Sequence, residues 1–425
     1  MKELVIGFLG CGNVGGGVWK LLEGFEKELA QRANLKIRVK KVLVRNVNKA
    51  RTCSVPQSLL TTCPEDVLCD PEITLVAEFM GGEQPATEYM LRALKSGKTV
   101  VTANKMALAL NWHRLHEAAR HGRAGLYYEA SVCGAIPVID VLSGPMQSNR
   151  ISSIMGIING TTNYILSRMY EQGEDYAAVL ADAQKLGLAE PDPSSDVEGM
   201  DAAYKLSIMA SLAFHTRVPF KQVYREGITG VTQEDIAWGK ELGYVMKLLA
   251  VAKREGDTVE VRVHPTFLPK EHPLSRVHDS FNAVYLSGHA CKEMMLQGRG
   301  AGDLPTASAI VGDIMRAGNA TEHFFPDSAF LAEPDVSLQF TRNWNTRFFV
   351  RMSAVDAPGT LEKIAGCLAR ENVSIATMVQ RDAPVDGRLT LVLITHSAPE
   401  MSVQAALAAM PKAVCQVQSV IRTEG

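Results

Sequence analysis

The sequence predicts an α/β protein in three parts: a doubly wound parallel sheet, an α+β domain behind it, and a small ferredoxin-like βαββαβ unit at the C-terminus. Three observations predict this. A short apolar run, Leu4 to Gly10, meets a glycine-rich turn and then a helical pattern. Strand-like and helical runs alternate as far as about residue 140, which favours a parallel sheet with helices on both faces. From Arg347 the chain carries a complete small-domain pattern of its own.

The opening helix is expected over Gly15 to Ala30, where Val18, Leu21, Leu22, Phe25 and Leu29 recur with helical spacing. Strands follow at Lys36 to Val44, Ile73 to Phe79, Thr99 to Thr102 and Gly125 to Glu129, with helices at Ala86 to Ser96 and Lys105 to His121 between them. Beyond residue 140 the pattern changes. A strand at Ile151 to Ile158 leads into helices at Thr161 to Glu171, Tyr176 to Leu186 and Gly199 to Phe214, and Thr258 to Thr266 and Phe281 to Ser287 alternate as strands. Thr306 to Ala317 reads as a helix and Glu322 to Ser337 as a linker. The tail then gives a strand to Ala354, a helix Thr360 to Glu371, strands Ser374 to Gln380 and Leu389 to Thr395, a helix to Ala408 and a strand Val414 to Ile421. We therefore expect a nucleotide domain over 1–140, a substrate and dimerisation domain over 141–305, a return helix and linker over 306–340, and a regulatory unit over 346–425.

At 425 residues the chain can bury several cores, and 46% hydrophobic with 21% charged residues and a net charge of −2 describes a globular protein without a nucleic-acid footprint. The eight cysteines are scattered, with no CxxC pair, and read as reduced thiols. No secretory signal or membrane-length apolar window is seen, so a cytoplasmic location is expected.

Gly10-Cys11-Gly12-Asn13-Val14-Gly15 sits where a strand meets a helix. Glycines there permit a tight turn and close approach to a pyrophosphate, with the helix N-terminus facing its charge. Such a turn can also be purely structural; its place in a strand–turn–helix unit favours a Rossmann-type dinucleotide site through Gly10, Gly12, Asn13, Val14 and Gly15. The second strand ends Val44-Arg45-Asn46 rather than in an acid, with Lys49 and Arg51 close behind. A guanidinium suits a 2′-phosphate, so NADP is expected over NAD, against the plainer reading of a solvated basic turn.

Further motifs resemble homoserine dehydrogenases: Thr102-Ala103-Asn104-Lys105, Asn159-Gly160-Thr161-Thr162-Asn163-Tyr164, the run from Leu186 through Glu190 to Asp196, Asp201-Ala202-Ala203-Tyr204-Lys205, and Gly300-Ala301-Gly302 with Pro305 to Ala309. The likeness covers the first three quarters of the chain. It implies reversible oxidation of L-homoserine to L-aspartate 4-semialdehyde, with Lys205 as acid/base group and Lys105 beside the nicotinamide and reacting oxygen. It also implies Glu190 and Asp201 on the substrate, aided by Asp196, and Gly187 and Gly302 in the cofactor pocket. A monovalent cation such as Na+ or K+ is implied at Glu129 and the carbonyls of Val132, Gly134 and Ile136. The chain departs from the family in Asn13, where threonine is common, and in Cys133 within the cation loop. With no kinase segment ahead of the glycine turn, a monofunctional enzyme is expected.

Alcohol oxidation needs a base for the hydroxyl proton, and a lysine serves if burial or a neighbouring cation lowers its pKa. Lys105 and Lys205 would press on each other in that way if both faced the nicotinamide. Asp201 and Lys205, four apart, share a helix face, which for an arbitrary pair would be a surface ion pair. The acidic approach Glu190, Asp192, Asp196, Glu198 and Asp201 suits an ammonium, or is a solvated loop. Asn159 to Asn163 reads as a helix cap near the cofactor. His113 and His116 lack a third ligand and read as a solvated helix face, and Met294 and Met295 as core packing.

Val355-Asp356-Ala357-Pro358-Gly359-Thr360-Leu361 resembles the ACT domain, which implies an amino-acid effector, L-threonine by pathway logic, or a domain that serves only to build a homodimer or homotetramer. Two other readings remain open: a sensor that binds nucleotide and amino acid without turnover, and a dehydrogenase of another amino or hydroxy acid.

Overall fold

The structure is a computed structural model that describes residues 2–320, 335, 337–380 and 387–425. The expected linker at Glu322 to Ser337 lies almost wholly outside these residues.

The first sheet comprises β1 (Lys2–Leu9), β2 (Leu35–Leu43), β3 (Leu60–Thr61), β4 (Leu75–Glu78), β5 (Thr99–Thr102) and β6 (Leu126–Tyr127). All its pairs are parallel and its order is β3-β2-β1-β4-β5-β6. The strand order reverses between β1 and β4, and ligands of doubly wound sheets bind in the crevice at such a point. The helices of this unit are α1 (Asn13–Gly24), α2 (Glu26–Ala33), α3 (Glu65–Leu68), α4 (Ala86–Lys95) and α5 (Lys105–Gly122). The single helix expected at Gly15 to Ala30 is in fact two. Phe25, at φ −122° and ψ 21°, ends α1 and starts α2 just after Gly24, so the apolar spacing continues while the axis does not.

The next elements are α6 (Val138–Ser143), β7 (Ile151–Ile157), α7 (Gly160–Gln172), α8 (Tyr176–Lys185), α9 (Ser194–Val197), α10 (Met200–Ala213), β8 (Tyr224–Arg225), α11 (Gln233–Glu241), β9 (Tyr244–Glu255), β10 (Thr258–Pro269), β11 (Phe281–Gly288) and β12 (Lys292–Arg299). Their main sheet is antiparallel, in the order β12-β11-β7-β9-β10. Two of these strands were not expected. β9 is buried along nearly its whole length, so period-two alternation is absent. β12 is the edge strand, and its Met294 and Met295 are half-buried, each packed against the margin of a hydrophobic core.

Helix α12 (Asp303–Asn319) then returns to the first unit, where Ala307, Ile310, Val311 and Ile314 pack in one core with Leu4, Ile6 and Val18. The tail holds β13 (Gln339–Phe340), β14 (Asn345–Val355), α13 (Thr360–Arg370), β15 (Ile375–Gln380), β16 (Arg388–Thr395), β17 (Ala398–Pro399), α14 (Glu400–Ala408) and β18 (Cys415–Thr423). The strand order β18-β14-β16-β15, antiparallel throughout, is the ferredoxin-like arrangement of a βαββαβ unit. This small sheet is sutured to the preceding one: β18 pairs with β10 at Thr266↔Arg422 and Phe267↔Thr423.

Candidate active site

The nucleotide turn is shaped by what lies behind it. Gly10 closes β1 with its amide on Leu43 O at 2.9 Å and has φ +100°, and a Cβ there would lie 3.1 Å from the Phe79 carbonyl. Gly15 packs 3.0 Å from Gly10 O by the same measure, whereas a Cβ on Gly12 would meet open space. The first turn of α1 carries no acidic residue and no side-chain cap, so its amides remain available to an anion. Asn13 is exposed at this end and Val14 half-buried. Helix α12 rests on α1, with Asp303 O 2.7 Å from a Cβ built on Gly17, and this brings up Gly302.

Past β2, the Arg51 guanidinium donates to the carbonyls of Asn46, Val47 and Lys49 at 2.6, 3.2 and 2.8 Å. It therefore organises the basic loop, and Arg45 is the exposed guanidinium at the strand end.

The catalytic candidates come from opposite walls of the crevice. Asn104 caps α5, accepting from Ala107 N at 3.0 Å, which fixes Lys105 as the first helical residue. Asn104 Nδ2 donates to Gly82 O at 2.7 Å and reaches Glu78 Oε1 at 3.5 Å. Glu78, fully buried at the end of β4, also accepts from Thr102 Oγ1 at 2.6 Å and Met80 N at 2.7 Å. Burial raises the pKa of Glu78 against these bonds. From the other wall, α10 presents Asp201 and Lys205 one turn apart. Asp201 is 3% exposed; its Oδ1 lies 2.7 Å from Lys105 Nζ and its Oδ2 2.7 Å from Lys205 Nζ. Lys205 donates a second bond, 2.9 Å, to Ile158 O.

Asn159 completes the cluster. Its Oδ1 caps α7 by accepting from Thr162 N at 2.9 Å, which leaves Nδ2 to donate to Asp201 Oδ2 at 2.9 Å and Asp196 Oδ1 at 2.7 Å. The expected cap is thus also a clamp on the two inward carboxylates. Within the acidic approach, Asp196 and Asp201 point inward, while Asp192 turns back on Ser194 and Glu198 is exposed. Glu190 is exposed but its charge acts on Lys105, and Gly187, at φ +72°, lies in the same α8–α9 loop.

The electrostatics differ from the expected pair of mutually repelling lysines, because Asp201 stands between them. Burial is the largest influence on Asp201 and would raise its pKa, yet the charges and hydrogen bonds of Lys105 and Lys205 outweigh it and hold the carboxyl well below its usual range. The Asp201 charge in turn raises the Lys105 pKa against burial, so Lys105 stays a cation. Asp196 is shifted up, by burial first and then by the Asp201 charge.

A second acidic site lies beneath. Glu129 is 6% exposed; its two carboxylate oxygens accept the amides of Ile139 at 2.9 Å and Asp140 at 2.7 Å, capping α6, and its own amide donates to Asp313 Oδ2 at 2.9 Å. Burial, reinforced by the Asp313 charge, raises the Glu129 pKa to about 7, and burial raises Asp313 to about 6 despite Arg316. The loop from Val132 to Ile136 folds onto the return segment, with Ala135 N on Arg299 O at 3.2 Å, and the Ile136 carbonyl accepts Val138 N at 2.8 Å. Among the described residues no group of three or more His, Cys, Asp or Glu side chains is placed to hold a metal ion. His116 corrects the expectation of a solvated face: it is buried, bonds Trp112 O at 2.9 Å, packs tilted against the Trp112 ring and has its pKa lowered by burial to about 4.

A glycine turn at the switch point of a doubly wound sheet, facing two lysines that meet on a buried aspartate, defines a nicotinamide-dinucleotide oxidoreductase acting on a CH–OH group. Residues 10–129 match the model of the homoserine dehydrogenase NAD binding domain and residues 137–315 that of homoserine dehydrogenase. The homoserine dehydrogenase of Bacillus subtilis is 38% identical over all of this chain and 99% of its own length, and that of Mycobacterium tuberculosis 41% over 100% and 98%. The crystal structure of a homoserine dehydrogenase from Thiobacillus denitrificans superposes with a TM-score of 0.92 at 38% identity, over 100% of this chain and 99% of that one. A hyperthermophilic archaeal homoserine dehydrogenase in complex with NADPH shares the fold at a TM-score of 0.64 and 23% identity, over 74% of this chain and 97% of that one. The chain belongs to the homoserine dehydrogenase family.

Proposed function

We propose that this enzyme interconverts L-homoserine and L-aspartate 4-semialdehyde at the Lys105–Asp201–Lys205 cluster, in the biosynthesis of threonine, methionine and isoleucine. The observation that carries the assignment of roles is one buried carboxylate gripping two ammonium groups from opposite walls of the dinucleotide crevice. The bound dinucleotide supplies or accepts the hydride. Lys205, fixed by Asp201 and the Ile158 carbonyl, keeps an N–H for the reacting oxygen and donates the proton in the reductive direction. Lys105, held cationic, stabilises negative charge growing on that oxygen. Glu190 and Asp196 offer carboxylates to the substrate ammonium.

The residues present fit NADP: the α1 N-terminus is open to the pyrophosphate, Gly12 faces open space, and Arg45 is exposed for a 2′-phosphate. They also suit a monovalent cation at Glu129 with the carbonyls of Val132, Gly134 and Ile136, an all-oxygen set where burial disfavours the uncompensated carboxylate. We read the C-terminal unit, by its βαββαβ order, as an ACT domain whose effector is L-threonine, in a cytoplasmic homo-oligomer. No described helix is long and apolar enough to cross a membrane.

The decisive experiment follows reduction of NADP and of NAD by absorbance with L-homoserine at alkaline pH, with and without L-threonine. Homoserine-dependent reduction, faster with NADP and suppressed by threonine, is expected. A folded protein that binds dinucleotide yet reduces neither would establish the sensor reading instead, and turnover of a different hydroxy or amino acid would replace the substrate.

A further inference from the structure

Two thiols face each other at the dinucleotide turn. Cys11 is the residue between Gly10 and Gly12, and Cys53 sits just beyond the basic loop that Arg51 organises; their Sγ atoms are 3.8 Å apart. Both side chains are half-buried rather than sealed, so hydrogen peroxide reaches them. Cys53 packs onto the first turn of α1, its Sγ lying 3.4 Å from the position of a Cβ on Gly16. A disulfide needs the sulfurs at about 2.05 Å. The glycines flanking Cys11 give its backbone the freedom to close that gap.

We propose that Cys11 and Cys53 form a reversible disulfide under peroxide, which pins the basic loop to the glycine turn and shuts the dinucleotide site. One thiol is first oxidised: Cys53–SH and hydrogen peroxide give Cys53–SOH and water. The Cys11 sulfur then bonds to the Cys53 sulfur; the hydroxyl of the sulfenic acid leaves and takes up the Cys11 thiol proton as a second water. Two electrons and two protons pass to the peroxide, and a dithiol such as dithiothreitol returns them by exchange. Cys53 is given the first oxidation because burial, with Cys53 as neighbour, pushes the Cys11 thiol up to about 12 and keeps it protonated. Closure moves Cys11 against the α1 N-terminus and draws in the loop bearing Arg45, so both the pyrophosphate and the 2′-phosphate lose their places. In reducing compartments such pairs are transient and regulatory rather than structural.

The test uses the full-length enzyme and hydrogen peroxide. Wild type should lose turnover and dinucleotide binding together, regain both with dithiothreitol, and yield a Cys11–Cys53 cross-linked peptide two hydrogens lighter on non-reducing mass mapping. Saturating NADP should slow the loss, Cys53→Ser should keep its basal activity and resist peroxide, and Cys63→Ser, which removes an exposed thiol elsewhere, should remain as sensitive as wild type. Inactivation of Cys53→Ser at the wild-type rate would overturn the proposal, as would reversible inactivation without the cross-linked peptide, or a cross-linked enzyme that still binds NADP normally.

Discussion

At the residue scale, Asp201 is the buried carboxylate that both Lys105 and Lys205 grip. Replacing Lys205 with Ala removes the proposed proton donor but leaves the glycine turn intact, so kcat should fall about 10²–10⁴-fold while NADPH fluorescence titration gives an unchanged Kd. Retained turnover would refute the acid/base assignment. Glu78 sets the start of α5 through Thr102 and Asn104, and so holds Lys105 in place. Glu78→Ala strands buried donors and should cost about 1–3 kcal/mol by urea denaturation. It should also lower kcat in the wild-type background, with little further loss in a Lys105→Ala background. An equal loss in both backgrounds would show that Glu78 acts independently of Lys105. The roles proposed for Lys105, Lys205 and Asp201 were legible only through the motifs that resemble the family, Thr102 to Lys105 and Asp201 to Lys205; the four-residue spacing of Asp201 and Lys205 alone would read as a surface ion pair. Glu78 was not, because an acid ending a short apolar strand carries no signal until its burial is known. Asn159 was half legible: its capping role follows from its residue type, but its hold on Asp196 and Asp201 joins elements that are distant in sequence.

At the scale of elements, the C-terminal unit is joined to the second domain by buried charge. Arg351 on β14 is 4% exposed and reaches Asp235 Oδ1 and Glu234 Oε2, each at 2.7 Å, in the first turn of α11. Because Asp235 is itself buried, Arg351→Ala leaves an uncompensated carboxylate. We expect a loss of about 3–5 kcal/mol in chemical denaturation, with the tail more open to limited proteolysis. A second link runs toward the site. Arg422 on β18 holds Glu226 at 2.6 Å, and the following residues press on the α9 turn, with Ile228 N on Val197 O at 2.7 Å, next to Asp196. Glu226→Gln should raise KM for homoserine and leave KM for NADP unchanged; the reverse pattern would break this link. The helices and the βαββαβ order were readable from periodicity, whereas β9 escaped because burial on both faces erases alternation.

For the whole molecule, two buried carboxyls set a pH dependence. The native pKa values of Glu129, about 7, and Asp313, about 6, lie above their unfolded values, so the native state binds more protons. Their favourable contribution is complete below the ordinary carboxylate range and is lost as pH rises through about 6 to about 7. The cation proposed at Glu129 would counter that loss. K+ or Na+ should therefore raise Tm above about pH 7 and have no specific effect at about pH 4, and Glu129→Gln should remove the increment. An equal rise with tetramethylammonium would mean general salt screening instead.

The sequence by itself determined the local order of the chain: the glycine turn between strand and helix, the alternation that makes a parallel sheet, the tail's βαββαβ pattern, and which residue types were available for hydride-linked proton transfer. These follow from backbone sterics and hydrophobic periodicity, which act over a few residues. Only the tertiary structure decided that Asp201 lies between two lysines instead of leaving them to repel, that Asn159 clamps two carboxylates, that α12 returns to the first core, and that β18 extends the sheet of β10. Each depends on burial and charge shared between segments tens to hundreds of residues apart, and no local pattern encodes which distant partner will neutralise a buried group.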